Sequence, residues 1–365
     1  MGVGLLVLEL GLRLFGGPPE AARARYRFDP RYGDVPADSF VHTLAIDPAR
    51  HRAVDLRGQL VPLHKPEGEL RVLFVGDSVT EGAFVPPERA YPARFEALAN
   101  ARAAEHRGGR RVRAVNAGVW GMTTLDALHV LRDKLLPLSP DVVVLGLFLC
   151  NDVNMNLAHG RKRWQPGDGA WLDALRQRSA LAQALFVQAL AWNQRLRLSS
   201  PGSPGSAWVD ERLTAIDERG LHLLSYPAGE LALYVRGRSA LLEQAYAILG
   251  DALLQLKQLG HERGFSLRVL VIPSPSTVLG RLAILAHPGV LVELRHAGVR
   301  VEPTELDFGQ PLRRVLALCE ELALPCVDAT PALREVGRGA FFARDEHPTT
   351  AGHEALARAL LGASP

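Results

Sequence analysis

Apolar and polar positions alternate along this chain in a rhythm of short continuous runs and longer helix-like segments. Val72-Leu73-Phe74-Val75 is an unbroken apolar run that stops at Gly76, the pattern of a strand buried on both faces that delivers a loop. Val112-Arg113-Ala114-Val115 and the run Val142–Leu149 behave alike, ending in Asn116-Ala117-Gly118 and Cys150-Asn151-Asp152. Leu267–Ile272 and the short Pro325–Val327 complete a set of five predicted strands. Helices are predicted between them over Glu88–His106, from Thr123 or Thr124 to Leu136, over Arg238–Arg263, over Leu312–Leu322 and, after a Thr349 or Thr350 cap, over Ala351–Leu361. Strands alternating with helices of this length predict an α/β protein, a mostly parallel sheet covered on both faces in a three-layer α/β/α sandwich. Ligands of such sheets sit outside the carboxyl ends of the strands, where the polar and glycine-rich turns fall.

Other segments depart from that rhythm. Residues 1–19 are an apolar amino-terminal segment whose first 15 residues, MGVGLLVLELGLRLF, contain Glu9 and Arg13 and are followed by Gly16-Gly17-Pro18-Pro19. A full span needs about 20 residues, so three readings stay open: a partial membrane anchor, an interfacial helix and a helix packed on the body. Residues 20–69 form an arm with short strands expected, Ser39–Ile46 among them. The core is expected over 70–152 and 241–362. Between these, 153–240 reads as a mainly helical insertion, a cap or a small domain, with helical stretches near Trp171–Leu196 and Val209–Glu218 and a Pro/Gly/Ser linker over Ser199–Ser206.

Composition narrows the classes. With 365 residues, 47% hydrophobic and 22% charged, the chain can bury a large core. Its 42 basic and 39 acidic residues leave a net charge of +3, so no nucleic-acid partner is expected. The local run Arg161-Lys162-Arg163 beside Trp164 reads as a solvated loop or as a contact for an anion or lipid headgroup. Three cysteines form no disulfide framework; Cys319 and Cys326 are expected as buried thiols, a bridge between them being the alternative. No cofactor is expected, and no metal, because Asp345 and His347 alone do not make up the three protein ligands of a catalytic zinc.

The sharpest chemical signal is Gly76-Asp77-Ser78-Val79-Thr80-Glu81-Gly82, directly after the first core strand. A serine there projects its hydroxyl into the crevice, and the backbone N–H groups beside it face developing negative charge. Serine becomes a nucleophile when an imidazole accepts its proton; the chain offers Asp345-Glu346-His347-Pro348 near its end. Gly76–Thr80 is not the G-x-S-x-G elbow of the α/β-hydrolases, and no G-x-G-x-x-G follows Val75.

These segments, in order, resemble the sequence blocks of the SGNH, or GDSL, hydrolase superfamily. Ser78 stands in block I, Asn116-Ala117-Gly118-Val119-Trp120-Gly121 resembles block II, Phe148-Leu149-Cys150-Asn151-Asp152 block III and Asp345-Glu346-His347-Pro348 block V. The resemblance covers about 71–152 and 250–361. It implies a flavodoxin-like SGNH fold, Ser78 as nucleophile, His347 as base, Asp345 as its orienter, and an oxyanion hole of the Ser78 and Gly121 N–H groups with the Asn151 side chain. Two features depart from the common pattern: Cys150 replaces a glycine, and Asp345 precedes His347 by two residues instead of three. Asp77 and Asn116 are expected to brace their turns and Asp152 to orient a loop, whereas His129 and His353 are expected to have no chemistry.

The implied activity is hydrolysis of a carboxylic ester through an acyl-enzyme, with short acyl groups on carbohydrate or lipid as candidate substrates. Acyl transfer to an alcohol and an inactive glycan- or lipid-binding module are the alternatives. Residues 1–15 make membrane or cell-envelope association an expectation, with a cytoplasmic protein the other reading. Nothing in the sequence decides the oligomeric state.

Overall fold

The computed structural model describes residues 60–105, 110–161, 240–281, 306–342 and 346–363, with short pieces at 27–29, 33–35, 45–47, 50–54, 179, 181, 233–234, 236 and 283. The apolar segment 1–19, the basic run beyond Arg161, Trp164, Trp171, Phe186, Trp192, the linker and nearly all of the expected insertion lie outside the described residues, as does Asp345. Among the described residues no helix is long and apolar enough to cross a membrane.

The arm supplies two small antiparallel sheets: β1 (Arg27–Asp29) with β2 (Gly33–Val35), and β3 (Ala45–Asp47), β4 (Arg52–Val54) and β5 (Leu60–Pro62). Ala53 and Val61 of the second sheet are fully buried in the main core. The central sheet contains β6 (Glu69–Gly76), β7 (Arg111–Gly118), β8 (Val142–Phe148), β9 (Ser266–Ile272) and β10 (Cys326–Asp328). Its spatial order is β10-β9-β8-β6-β7 and every pair is parallel. Chain order therefore reverses at β6, which lies between β7 and β8, and the carboxyl end of β6 is the topological switch point where such sheets open a crevice.

Both faces are covered, so the core strands read as continuous apolar runs. Leu73 and Val75 of β6 join one core with Val115, Val143 and Leu145, whereas Val72 and Phe74 join the other with Val144 and Leu270. On the first side pack α3 (Thr124–Val130), α5 (Ala240–Arg263) and α7 (Gln310–Glu321). On the second pack α2 (Tyr91–Glu105), α8 (Thr330–Val336) and α9 (Thr350–Gly362), through residues such as Phe95, Leu333 and Leu356. Three layers result, as the alternation of elements predicts. The remaining helices, α1 (Ser78–Glu81), α4 (Asp152–Arg161) and α6 (Pro275–Leu279), follow β6, β8 and β9 at the crevice side.

Three expectations are corrected. The helix predicted from Glu88 begins at Tyr91, after a 3-10 turn at Pro87–Arg89 and an extended Ala90. Pro92 disfavours the helical region for the residue before it, which favours a helix that opens at this point over one continuing from Glu88. The helix predicted to run towards Leu136 is capped by Thr123 as expected but is α-helical only to Val130, passing into a π segment at Leu131–Leu135 and a 3-10 turn at Leu136–Leu138. Cys319 and Cys326 are joined in a disulfide instead of being two thiols. The tight turn after α7 returns the chain into β10 alongside the last helical turn, leaving Cα atoms 6.1 Å apart, within bridging range. Cys150 is buried and takes no part in a disulfide.

Candidate active site

The turn after β6 is shaped by Asp77. Its side chain accepts the Val79 N–H at 2.9 Å and caps α1, which closes at Gly82 in the left-handed region with φ 91°. This turn presents Ser78, 6% exposed, at the carboxyl edge of the sheet. Close backbone approach fixes the turn against its neighbour β7, since a Cβ on Gly118 would lie 2.6 Å from Thr80 C and overlap Glu81 N. Asn116 braces the same contact: its amide donates to Thr80 O at 2.9 Å and Glu81 O at 3.2 Å and accepts the Gly118 N–H at 2.9 Å.

His347 reaches this turn from the other end of the sequence. Its Nε2 lies 2.7 Å from Ser78 Oγ across 269 residues of chain, and the ring is 5% exposed. A backbone bracket holds it there: Phe342 N–H donates to His347 O at 3.1 Å, Phe341 bridges Pro348, and Thr349 N–H donates to Ala340 O at 2.9 Å. The α9 helix then starts at once, capped by Thr349 Oγ1 accepting from Gly352 N–H at 3.3 Å. Gly352 is required where it stands, because a Cβ there would overlap Ala340 O.

The loop after β8 joins this pair through Asn151. Its Nδ2 donates to Asp77 Oδ2 at 2.7 Å, a contact not foreseen from the sequence. The amide nitrogen carries two N–H groups, so one remains for a ligand after Asp77 takes the other. Asp152 links the loops after β7 and β8: it accepts Thr124 N–H and Oγ1–H, each at 2.7 Å, and Phe148 N–H at 2.8 Å. Burial pushes the Asp152 carboxyl up to about 8, with Asp77 adding to the rise and the three donors opposing it. Asp77 is likewise pushed up by burial to about 6, opposed by its attraction to the His347 ring when that ring carries a proton and by hydrogen bonds from Val79, Asn151 and Thr80. Gly121 sits in the turn after β7 with φ 74°, left-handed backbone that glycine takes without a Cβ penalty, and Met122 N–H closes the turn on Val119 O at 3.0 Å.

An aromatic cluster surrounds the imidazole, and sequence periodicity holds no sign of it. Trp120 stacks on His347 with centroids 5.2 Å apart and planes at 28°. Phe84 stands T-shaped to His347 at 5.2 Å, to Trp120 at 5.7 Å and to Phe342 at 6.0 Å. Phe84 is 61% exposed with a left-handed φ of 66°, and Trp120 is 45% exposed.

The other histidines lie apart. His353 is fully buried, accepts Tyr91 N–H on Nδ1 at 3.3 Å and stacks on the Tyr91 ring; burial holds it down at about 3. Tyr91 in turn shares a 3.0 Å hydrogen bond with Thr80 Oγ1. His129 contacts Arg132 on α3 and its π extension. Among the described residues no group of three or more His, Cys, Asp or Glu side chains is arranged to hold a metal ion.

No protein-family model and no curated protein matches the sequence. Solved structures with similar coordinates include TesA, at 16% identity over 80% of this chain and 97% of that one, with a TM-score of 0.39. Axe2, an acetylxylan esterase from Geobacillus stearothermophilus, is 17% identical over 80% of this chain and 93% of its own, with a TM-score of 0.38. LAE5, an alpha/beta hydrolase enzyme from the metagenome of Lake Arreo, Spain, is 16% identical over 80% and 94%, with a TM-score of 0.39.

Proposed function

We propose that this protein is a serine esterase or acyl hydrolase of the SGNH type that cleaves carboxylic esters through an acyl-enzyme on Ser78. The observation that carries the reading is the 2.7 Å contact between Ser78 Oγ and His347 Nε2 at the switch point of the sheet. A serine and an imidazole this close form the nucleophile–base pair that acyl transfer needs.

In this reading His347 Nε2 takes the Ser78 proton as Oγ attacks the ester carbonyl. The tetrahedral oxyanion is received by the N–H groups of Ser78 and Gly121 and by the Asn151 amide. His347 then gives its proton to the departing alcohol oxygen, leaving the acyl group on Ser78. Water, deprotonated by the same imidazole, repeats the sequence and releases the acid. Asp345 is assigned to hold His347 Nδ1–H, and Asp77 keeps Asn151 oriented by taking one of its amide protons. Short acyl groups, acetyl among them, are the proposed substrates.

Hydrolysis of short p-nitrophenyl esters tests the reading. The protein is expected to turn them over, and Ser78→Ala and His347→Ala are each expected to lose at least about a thousandfold in kcat. Equal turnover by protein and variants contradicts it. Adding an alcohol acceptor separates hydrolysis from transfer by the appearance of a new ester.

A further inference from the structure

The aromatic cluster around His347 has no part in the proton transfer described above, yet it is built at structural cost. Left-handed backbone is strained for an aromatic residue and persists where the surroundings over-determine it; Phe84 adopts it with φ 66° while keeping 61% of its surface in solvent. What the position secures is its T-shaped contact with three rings at once: Trp120, Phe342 and His347. Trp120 completes the arrangement by laying its indole nearly parallel to the imidazole, 5.2 Å between centroids. Indole faces carry the negative part of the ring quadrupole, and a cation within about 6 Å of the centroid is attracted to them. Imidazole is neutral before the Ser78 proton arrives and cationic afterwards, so the same stack is stronger in the transition state than in the resting enzyme.

We propose that Trp120, wedged by Phe84, is a positioning residue for the reaction: it holds the His347 ring in line with Ser78 Oγ and favours the imidazolium formed when that hydroxyl is deprotonated. This rests on the esterase reading for its catalytic meaning, but the contact of indole with imidazole stands independently of it. Trp120 acts from the ring face, a direction distinct from the in-plane hydrogen bond to Ser78. Among the described residues, the titratable groups coupled to His347 include Asp77 from the turn after β6 and His353 from α9, with Glu346 directly before it in the loop; Asp345, two residues before it in sequence, lies outside the described residues. Asp77 favours the cation and His353 is held neutral, so neither duplicates the geometry of the stack.

The test compares Trp120→Phe, which keeps a ring face, with Trp120→Leu, which keeps apolar bulk without one. Two readouts are taken in parallel. The first is the pH profile of kcat/KM on p-nitrophenyl acetate; the second is the titration of the His347 ring, followed by NMR of labelled histidine in Ser78→Ala protein carrying each substitution. Trp120→Leu is expected to lower the plateau about fivefold and to move the acid limb and the NMR midpoint down together by about half a pH unit, because the neutral ring is then relatively favoured. Trp120→Phe is expected to keep most of both. Equal effects of Phe and Leu, or an activity loss without movement of the midpoint, overturn the proposal, since either leaves Trp120 a filler of space. A midpoint that moves as described in a protein that hydrolyses no ester would sustain the stack and defeat the function instead.

Discussion

Asn151 and Asp77 are joined by a 2.7 Å hydrogen bond from Nδ2 to Oδ2, which ties the loop after β8 to the turn after β6 at the edge where the strands end. The two strands are neighbours in the sheet, paired from Val72↔Val142 to Gly76↔Gly146, so the bond joins the adjacent loops that follow them. It leaves Asn151 anchored and with one amide proton to give. Asn151→Ala is therefore expected to reduce kcat by about 100- to 1000-fold with little change in KM, the signature of a donor used chiefly in the transition state. Steady-state kinetics on p-nitrophenyl acetate measure it; a change confined to KM would contradict the oxyanion role proposed for Asn151.

Gly118 has no room for a side chain. A Cβ there meets Glu81 N and Thr80 C, backbone atoms of the turn that carries Ser78, and backbone cannot swing aside as a long side chain can. Gly118→Ala is expected to destabilise the fold by about 1–3 kcal/mol and to lower turnover as well, by displacing the turn. Urea denaturation together with kinetics checks both, and an unchanged midpoint would show that the turn has slack that the close approach denies.

His353 provides a pH dependence whose sign follows from its burial. The folded ring stays neutral down to about 3, whereas an unfolded histidine takes up a proton near 6.5. Between those values the unfolded state binds the extra proton, so stability present above 6.5 is lost as pH falls toward 3. The stability of the protein relative to His353→Gln is expected to decline on acidification by up to about 1.4 kcal/mol per pH unit. Denaturation curves of both proteins at a series of pH values measure the difference, in which groups common to both, such as Asp77 and Asp152, cancel. A difference that does not vary with pH would mean that the ring takes up its proton as readily in the folded state as in the unfolded one.

Features with a local cause are legible in the sequence, and features made by distant residues meeting are not. Leu73 and Val75 face one core and Val72 and Phe74 the other, which makes a continuous apolar run, and such a run is visible without any partner strand. Gly76-Asp77-Ser78 is a local turn with its own cap, so the position of Ser78 was visible too. The π segment at Leu131–Leu135 was not, because inserting a wider turn leaves the apolar spacing close to helical. The short α6 and α8 helices have too few turns to show apolar periodicity, and their only local signal is a proline in the first turn, preceded in α6 by the capping Ser274. The Asp77–Asn151 bond and the rings of Phe84, Trp120 and Phe342 around His347 arise only once strand order and the return of α9 bring distant residues together. The disulfide likewise depends on how tightly the chain turns between α7 and β10, which spacing alone does not state.

If Ser78 is a nucleophile activated in place by His347, it is open to covalent trapping. The protein is treated with a fluorophosphonate, digested and mapped by mass spectrometry, beside Ser78→Ala and His347→Ala. One phosphonyl adduct on Ser78 is expected, absent from Ser78→Ala and strongly slowed in His347→Ala. A protein that stays unmodified, or one labelled equally well when Ser78 is replaced, would contradict the account.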